Sequence, residues 1–326
     1  MKLLLLLFCV ALSPYFSAHA WSTRGSVYHW RQILRGNSRS RHQTHLFQEE
    51  LSSGRILSPE YFKSVYDKDH SRGNTLAERT SSFSATGVDC DDGECAGCIT
   101  PWDIGGGRPQ PAIVKAYEEG QLRGRIIDAG CGAGENCIYL AGKYGITSVF
   151  GCDLAEGGIR IANARVSKIS NMQEGIVNTV DASDANDPVS PFWTSPQFFV
   201  ASCTEMTDKY LTLFGNETEL FDVSIDSGLL HCLSDSDARD YVKQLKRILK
   251  PGTGRAYVGC FSTKNPAESW DNPRRLSPQY LKNLFCQEDG WEITSIQDTW
   301  WARPPERGSS QGAFSMALWM EARLIS

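Results

Sequence analysis

Residues 125–136 read Arg-Ile-Ile-Asp-Ala-Gly-Cys-Gly-Ala-Gly-Glu-Asn. A hydrophobic run ends in an acid, three glycines alternate after it, and a helix-forming stretch follows. Glycines at such a turn let backbone approach a ligand closely, because no Cβ intrudes. The helix start beyond them offers free N–H groups suited to a carboxylate. The spacing at Gly130, Gly132 and Gly134 is G-x-G-x-G. Dinucleotide sites use G-x-G-x-x-G and rest a pyrophosphate on the helix start. Asp128, just before the turn, would repel a pyrophosphate but can accept hydrogen bonds from an amino acid's ammonium group. Asp153, followed by Leu154, closes the next hydrophobic run. An acid there can take both hydroxyls of a ribose. Two acids at successive strand ends favour a cofactor joining an amino acid to a nucleoside, S-adenosyl-L-methionine, over NAD or a ligand-free glycine turn.

The elements that must hold these residues alternate from about residue 100 onward. Residues 112–119 read as a helix ending at Gly120, and 124–129 as a buried strand followed by a helix to about Lys143. Residues 147–152 are a second strand and 159–170 a helix. Residues 197–201 and 221–225 are the third and fourth strands. Residues 234–250 form an amphipathic helix with Tyr241, Val242, Leu245, Ile248 and Leu249 on one face, and Pro251-Gly252 stops it. Residues 255–261 are a fifth strand, and 291–300 with 313–324 a closing antiparallel pair. Repeated strand–helix units imply an α/β fold with a mainly parallel sheet and helices on both faces. Further upstream, Ser58 and Pro59 start a short helix with an apolar-aromatic face of Tyr61, Phe62, Val65 and Tyr66. Residues 71–97 are a polar loop.

Asp128 to Gly134, Asp153 and the Lys250-Pro251-Gly252 turn before the fifth strand resemble the class I methyltransferases that use S-adenosyl-L-methionine. The resemblance spans residues 100–326 and implies a Rossmann-like seven-stranded, mostly parallel sheet with a closing antiparallel strand. Thr100 to Gly105 (Thr-Pro-Trp-Asp-Ile-Gly), Pro109-Gln110-Pro111 and Asp226 to His231 (Asp-Ser-Gly-Leu-Leu-His) are similar to a subgroup related to thiopurine and halide/thiol methyltransferases. That likeness implies small soft acceptors, with Trp102 lying over the cofactor. The chain departs from the family where the third strand ends. Ser202 or Cys203 stands where an acid near the adenine is usual. An insertion at about 177–196 and the glycines 105–107 also set it apart.

Methyl transfer is an in-line displacement in which the cofactor supplies the leaving group, so the protein chiefly aligns the nucleophile and excludes water. Asp226 and His231 lie just beyond the fourth strand. His231 could deprotonate a thiol or form a hydrogen-bonded wall; Asp226 fits cofactor shaping better than base catalysis.

The rest of the chain bounds the reading. A net charge of −5 gives no general attraction to nucleic acid, so a nucleic-acid partner is not expected. Lys2, the apolar run 3–12 and Ala18-His19-Ala20 make residues 1–20 a signal peptide, too short to span a bilayer. Residues 21–48 lack acids and carry Arg24, Arg31, Arg35, Arg39 and Arg41 among hydroxyl residues, the composition of a plastid transit peptide. Trp21 at the junction resembles the bipartite leader of algae with secondary plastids; the alternative is a secreted or endomembrane protein. No stable membrane insertion is expected. Cys131, Cys137, Cys152, Cys232 and Cys260 lie in apolar runs and read as buried reduced packing residues. Cys90, Cys95 and Cys98 match three ligands of an iron–sulfur spacing, but lack a nearby fourth and stand beside acids, so a surface loop is the better reading than a metal site.

Residues 49–99 are then an N-terminal helix and loop, and 100–326 the catalytic domain. The expected function is methyl transfer to a small-molecule acceptor, a thiol or halide by the resemblance. The competing readings are a methyltransferase of a larger plastid metabolite or protein, and an inactive cofactor-binding or metal-sensing module. Nothing in the sequence fixes an oligomeric state.

Overall fold

The computed structural model describes residues 52–53, 56–67, 104, 108–178, 193–215, 219–267, 273–303 and 313–325. Contacts divide the chain into residues 1–43 and 44–326, and every described residue belongs to the second unit. The leader, Trp102 and the Cys90–Cys98 cluster therefore lie outside the described residues.

The elements in chain order are β1 (Ser52–Ser53), α1 (Pro59–Asp67), α2 (Pro111–Glu118), β2 (Ile126–Ala129), α3 (Glu135–Tyr144), β3 (Val149–Asp153), α4 (Glu156–Asn178), β4 (Gln197–Val200), α5 (Met206–Phe214), β5 (Val223–Ser227), α6 (Asp235–Ile248), β6 (Arg255–Phe261), β7 (Arg275–Leu276), α7 (Pro278–Leu284), β8 (Trp291–Arg303) and β9 (Ala313–Leu324). Seven strands form one sheet in the order β4-β3-β2-β5-β6-β9-β8. The first five run parallel, and β9 pairs antiparallel with both β6 and β8. This is the mostly parallel sheet with an antiparallel close that the sequence predicts. β1 and β7 form a separate small pair.

Period-two alternation sends neighbouring residues to opposite faces of the sheet. Ile126 and Ile127 are both fully buried yet enter different cores. Ile126 joins Val223, Ile225 and Tyr257 under α2, while Ile127 joins Val258, Leu318 and the apolar faces of α5, α6 and α7. With α3 and α4 packing on the first face through Cys137, Ile138 and Val166, helices cover both sides. α6 shows why the sequence pattern works locally. The Ser234 hydroxyl accepts from the Asp237 N–H at 3.2 Å, and Ala238, Tyr241, Val242, Leu245 and Ile248 are buried at helical spacing.

Two helices escape the sequence reading, α5 and α7. α7 carries a local signal, since Ser277 caps it and Pro278 occupies the first helical position. α4 also runs on to Asn178, past the predicted end at 170, so that its last two residues fall in the predicted insertion. Cys131, Cys137, Cys152, Cys232 and Cys260 are buried and unbridged, as expected.

Candidate active site

The glycine turn leaves β2 and enters α3. Gly130, Gly132 and Gly134 all have positive φ, at 73°, 54° and 83°, a backbone that side chains with a Cβ rarely adopt. The space each missing Cβ would fill is occupied by protein. A Cβ on Gly130 would lie 3.0 Å from Leu229 Cβ, one on Gly132 2.5 Å from the Tyr66 hydroxyl, and one on Gly134 2.8 Å from the Phe198 ring. The glycines thus serve close packing between elements as well as the turn. Gly134 begins α3 with no side-chain cap. Glu135, in the first turn, is held by Arg165 of α4 at 2.5 Å, and the same guanidinium donates to the Ala133 carbonyl at 2.8 Å. Arg165 is buried on a helix face with Ile161, Ala162, Val166 and Ile169. One arginine on such an apolar face is the signal that could have revealed it.

Asp128 and Asp153 lie on the same face of the sheet. Asp128 pairs in register with Gly151, two residues before Asp153. Asp128 is buried; its Oδ2 accepts from Asn136 Nδ2 at 3.0 Å, and its Oδ1 has no protein partner. Burial pushes its pKa up to about 8 against the opposing Asn136 hydrogen bond, with the charges of Asp226, Glu135 and Asp153 adding to the rise. Asp153 accepts from the Gly132 N–H at 2.9 Å and from the Ala155 N–H at 2.8 Å. It is half-buried, as is Leu154. Burial raises its pKa, while these backbone donors pull it down. One carboxylate therefore ties the end of β3 to the glycine turn.

A cleft opens beside this turn, lined by Gly130, Gly132, Glu135 and Asn136 together with Ser227, Gln110 and Trp301. The Gln110 amide donates to the Ala302 carbonyl at 3.0 Å and accepts from the Ala302 N–H at 2.9 Å, fixing the segment before α2 onto β8. The Trp301 indole is buried against Gly228 and Gly259, where added Cβ atoms would each lie 3.1 Å from its ring. Gln110 enters the sequence reading only through its Pro-Gln-Pro context, and Trp301 lies one residue beyond the predicted strand 291–300.

The structure sets Asp226 and His231 apart from the lining of this cleft. Asp226 pairs with Ala129 and Val258, so it points to the α5–α7 face, away from Asp128. It is fully buried and caps the following turn, accepting from the Leu229 N–H at 2.7 Å and the Leu230 N–H at 3.1 Å. Burial raises its pKa to about 7, against those backbone donors. His231 is buried too. Its Nδ1 accepts from the Phe261 N–H at 3.0 Å, and its ring stacks on Phe261 with centroids 4.6 Å apart. A neutral imidazole held this way carries its proton on Nε2 and has no open lone pair. Burial, with a smaller contribution from the Arg274 charge, lowers its pKa to about 3. Among the described residues His231 does not line the cleft; it contacts Trp301, which does, at 5.9 Å between rings. At the third strand's end the two candidates separate. Cys203 is buried in the α5–α7 core, whereas Ser202 is half-buried, with its hydroxyl 2.9 Å from that of Thr204.

The sequence pattern of a methyltransferase domain family matches residues 107–323. The chain is 26% identical over 234 residues to a 2-heptyl-1-hydroxyquinolin-4(1H)-one methyltransferase of Mycobacteroides abscessus, covering 68% of this chain and 86% of that one. A structure solved in work on the conversion of a disulfide bond into a thioacetal group during echinomycin biosynthesis superposes with a TM-score of 0.52 at 26% identity, covering 69% of this chain and 84% of the other. A methyltransferase from Anabaena variabilis, dependent on S-adenosylmethionine, shares the fold with a TM-score of 0.51 at 12% identity, over 83% of this chain and 96% of that one. With the family pattern spanning the sheet, the glycine turn and the cleft, the chain belongs to the methyltransferase domain family and is a class I S-adenosyl-L-methionine-dependent enzyme.

Proposed function

We propose that this enzyme methylates a small acceptor that reaches the cleft already ionised, with a thiol or halide as the first reading. The observation that carries the proposal is the His231 ring, whose one lone pair is taken by the Phe261 N–H. Glu135, the carboxylate of the cleft wall, is tied to Arg165. With no base at hand among the described residues, the acceptor must be acidic by itself, or have no proton to lose. The Trp301 indole supplies an apolar wall that keeps water from a soft anion.

The residues present fit the cofactor. Asp128 Oδ1 is a buried acceptor with no protein partner, and the uncapped start of α3 adjoins it. These two features suit an ammonium and a carboxylate. Asp153 and Leu154 would take the ribose end and Ser202 the adenine, with Trp102 covering the methyl. When bound, the cofactor supplies an activated methyl group on a sulfonium. The chain's own groups hold both reactants in line and exclude water.

A second reading has one specific observation in its favour. The relative from Mycobacteroides abscessus is named for a hydroxyquinolone, and an acidic hydroxyl on an aromatic ring satisfies the same requirement for an anion. Screening thiols, iodide, N-hydroxyquinolones, phenols and amines while measuring S-adenosylhomocysteine tests both. Turnover should follow the ionised fraction of each acceptor as pH is varied. Activity confined to amines overturns the anionic reading. The leader is likewise proposed to direct the chain to a plastid. Residues 1–48 fused to a fluorescent protein should arrive there, and Trp21→Ala should divert it; export of both fusions overturns the proposal.

A further inference from the structure

The indole of Trp301 reaches the cleft from β8, the outermost strand of the sheet. It crosses its neighbours to get there. Trp301 packs with Ala317 of β9 and Phe261 of β6. The Cζ3 atom of its six-membered ring would lie 3.1 Å from a Cβ on Gly259 of β6, and the Cη2 atom 3.1 Å from a Cβ on Gly228, just past β5. Small residues on three neighbouring strands, Ala317, Gly259 and Gly228, thus form a trough under the ring. Gly228 has a φ of 93°, so its backbone alone asks for glycine. Gly259 has no such need. It lies inside β6 without a positive φ, where glycine weakens a strand and marks a close approach. What approaches is the Trp301 indole, with that of Trp319 beside it at 3.3 Å. Rings behind Trp301 fix its tilt. His231 and Phe261 stack on each other and lie 5.9 Å and 5.6 Å from its ring, inclined at 59° and 56°. The indole is 7% exposed, so what little surface the protein leaves open is the part that lines the cleft. The largest side chain of the cleft therefore fills the space that the smallest residues leave, and ends the cleft there.

We propose that Trp301 is the specificity-determining residue for the acceptor: by filling the trough over Gly228, Gly259 and Ala317 it closes the cleft to long apolar acceptors and admits compact ones. The proposal rests on the reading of this cleft as the place where the acceptor is methylated. Its test compares the full chain with Trp301→Ala and Trp301→Phe on alkyl thiols, 2-alkyl N-hydroxyquinolones and alkyl amines, each series graded from methyl to octyl. In any series that turns over, kcat/KM of the unaltered chain should fall as the alkyl group lengthens. Trp301→Ala should raise the octyl-to-methyl ratio of kcat/KM at least about tenfold, the order for making room for added methylenes. Trp301→Phe should raise it less. That ratio is taken within each variant, so a loss of folded protein does not move it. Affinity for S-adenosylhomocysteine, read by calorimetry, should hold. An unchanged length profile in Trp301→Ala overturns the proposal. So does a preference of the unaltered chain for octyl acceptors, and so does a loss of S-adenosylhomocysteine affinity with no change of profile, which would make Trp301 a wall of the cofactor site. Turnover of amines alone sinks the anionic reading, yet the amine series still reports on Trp301, so the two failures are distinguishable.

Discussion

The ends of β2 and β5 each carry a buried aspartate and use it in opposite ways. At the end of β2 the hydrogen bonding is incomplete. Asp128 keeps one buried oxygen without a partner, and α3 starts uncapped. At β5 and β6 the protein satisfies itself. Asp226 is filled by two backbone donors, and His231 by the Phe261 N–H. Open valences at one strand end leave a place for a polar ligand, and closed ones at the next leave only packing. The same residue types, acid and histidine past a strand end, thus carry no fixed chemical role. What decides is whether another part of the chain has already taken their lone pairs.

The contrast can be broken from either side. The largest effect is expected from Arg165→Met, which strips Glu135 and the Ala133 carbonyl of their shared donor. Removing one partner of a buried ion pair costs about 3–5 kcal/mol, so chemical denaturation should show a loss of that order. A loss under about 1 kcal/mol would mean that the turn does not depend on this pair. Asp153→Ala should come next, weakening cofactor binding by about 1–3 kcal/mol, the order for a charge-assisted hydrogen bond. Unchanged affinity by calorimetry would remove Asp153 as the ribose ligand.

On the closed side, His231→Asn should lower turnover by less than about tenfold, or about 1.4 kcal/mol in the barrier. The loss should be equal for a thiol and for iodide, which has no proton to give up. A loss with the thiol alone would restore His231 as a base. The last test is one of pH and concerns Asp128. Its carboxyl titrates at about 8 in the folded chain, against roughly 3.9 unfolded. Below the unfolded value both states hold the proton, and its contribution to stability is fully present. As pH rises toward 8 the unfolded chain gives up the proton first, so stability falls. The melting temperature of the cofactor-free protein should decline between about pH 5 and pH 9, and Asp128→Asn should flatten that decline. Parallel declines would show that Asp128 is already ionised in the fold.

Much of the sheet was legible because its signals are local. The hydrophobic runs at β2, β6 and β9, the Ser234 cap and the Pro251-Gly252 stop each lie within a few residues of what they specify. α5 was not legible: it is short, only Met206, Thr207 and Tyr210 of it are buried, and no side chain caps its start. Of the site, the positions of Asp128, Gly130, Gly132, Gly134 and Asp153 followed from the order of strand, turn and helix. Arg165 and Trp301 stayed hidden because their partners lie far away in the chain.

The sequence by itself determined where acids and glycines fall relative to the strand ends, since periodicity and turn chemistry act over a few residues. Only the tertiary structure decided what those groups can do. Register across β2, β5 and β6 aims Asp226 at the face opposite Asp128. A backbone N–H 30 positions away occupies His231. A phenol from a helix far upstream fills the space over Gly132. The physical reason is the same in each case: a polar atom's chemistry depends on which hydrogen bonds it has left to make, and folding distributes those between residues that the sequence keeps apart.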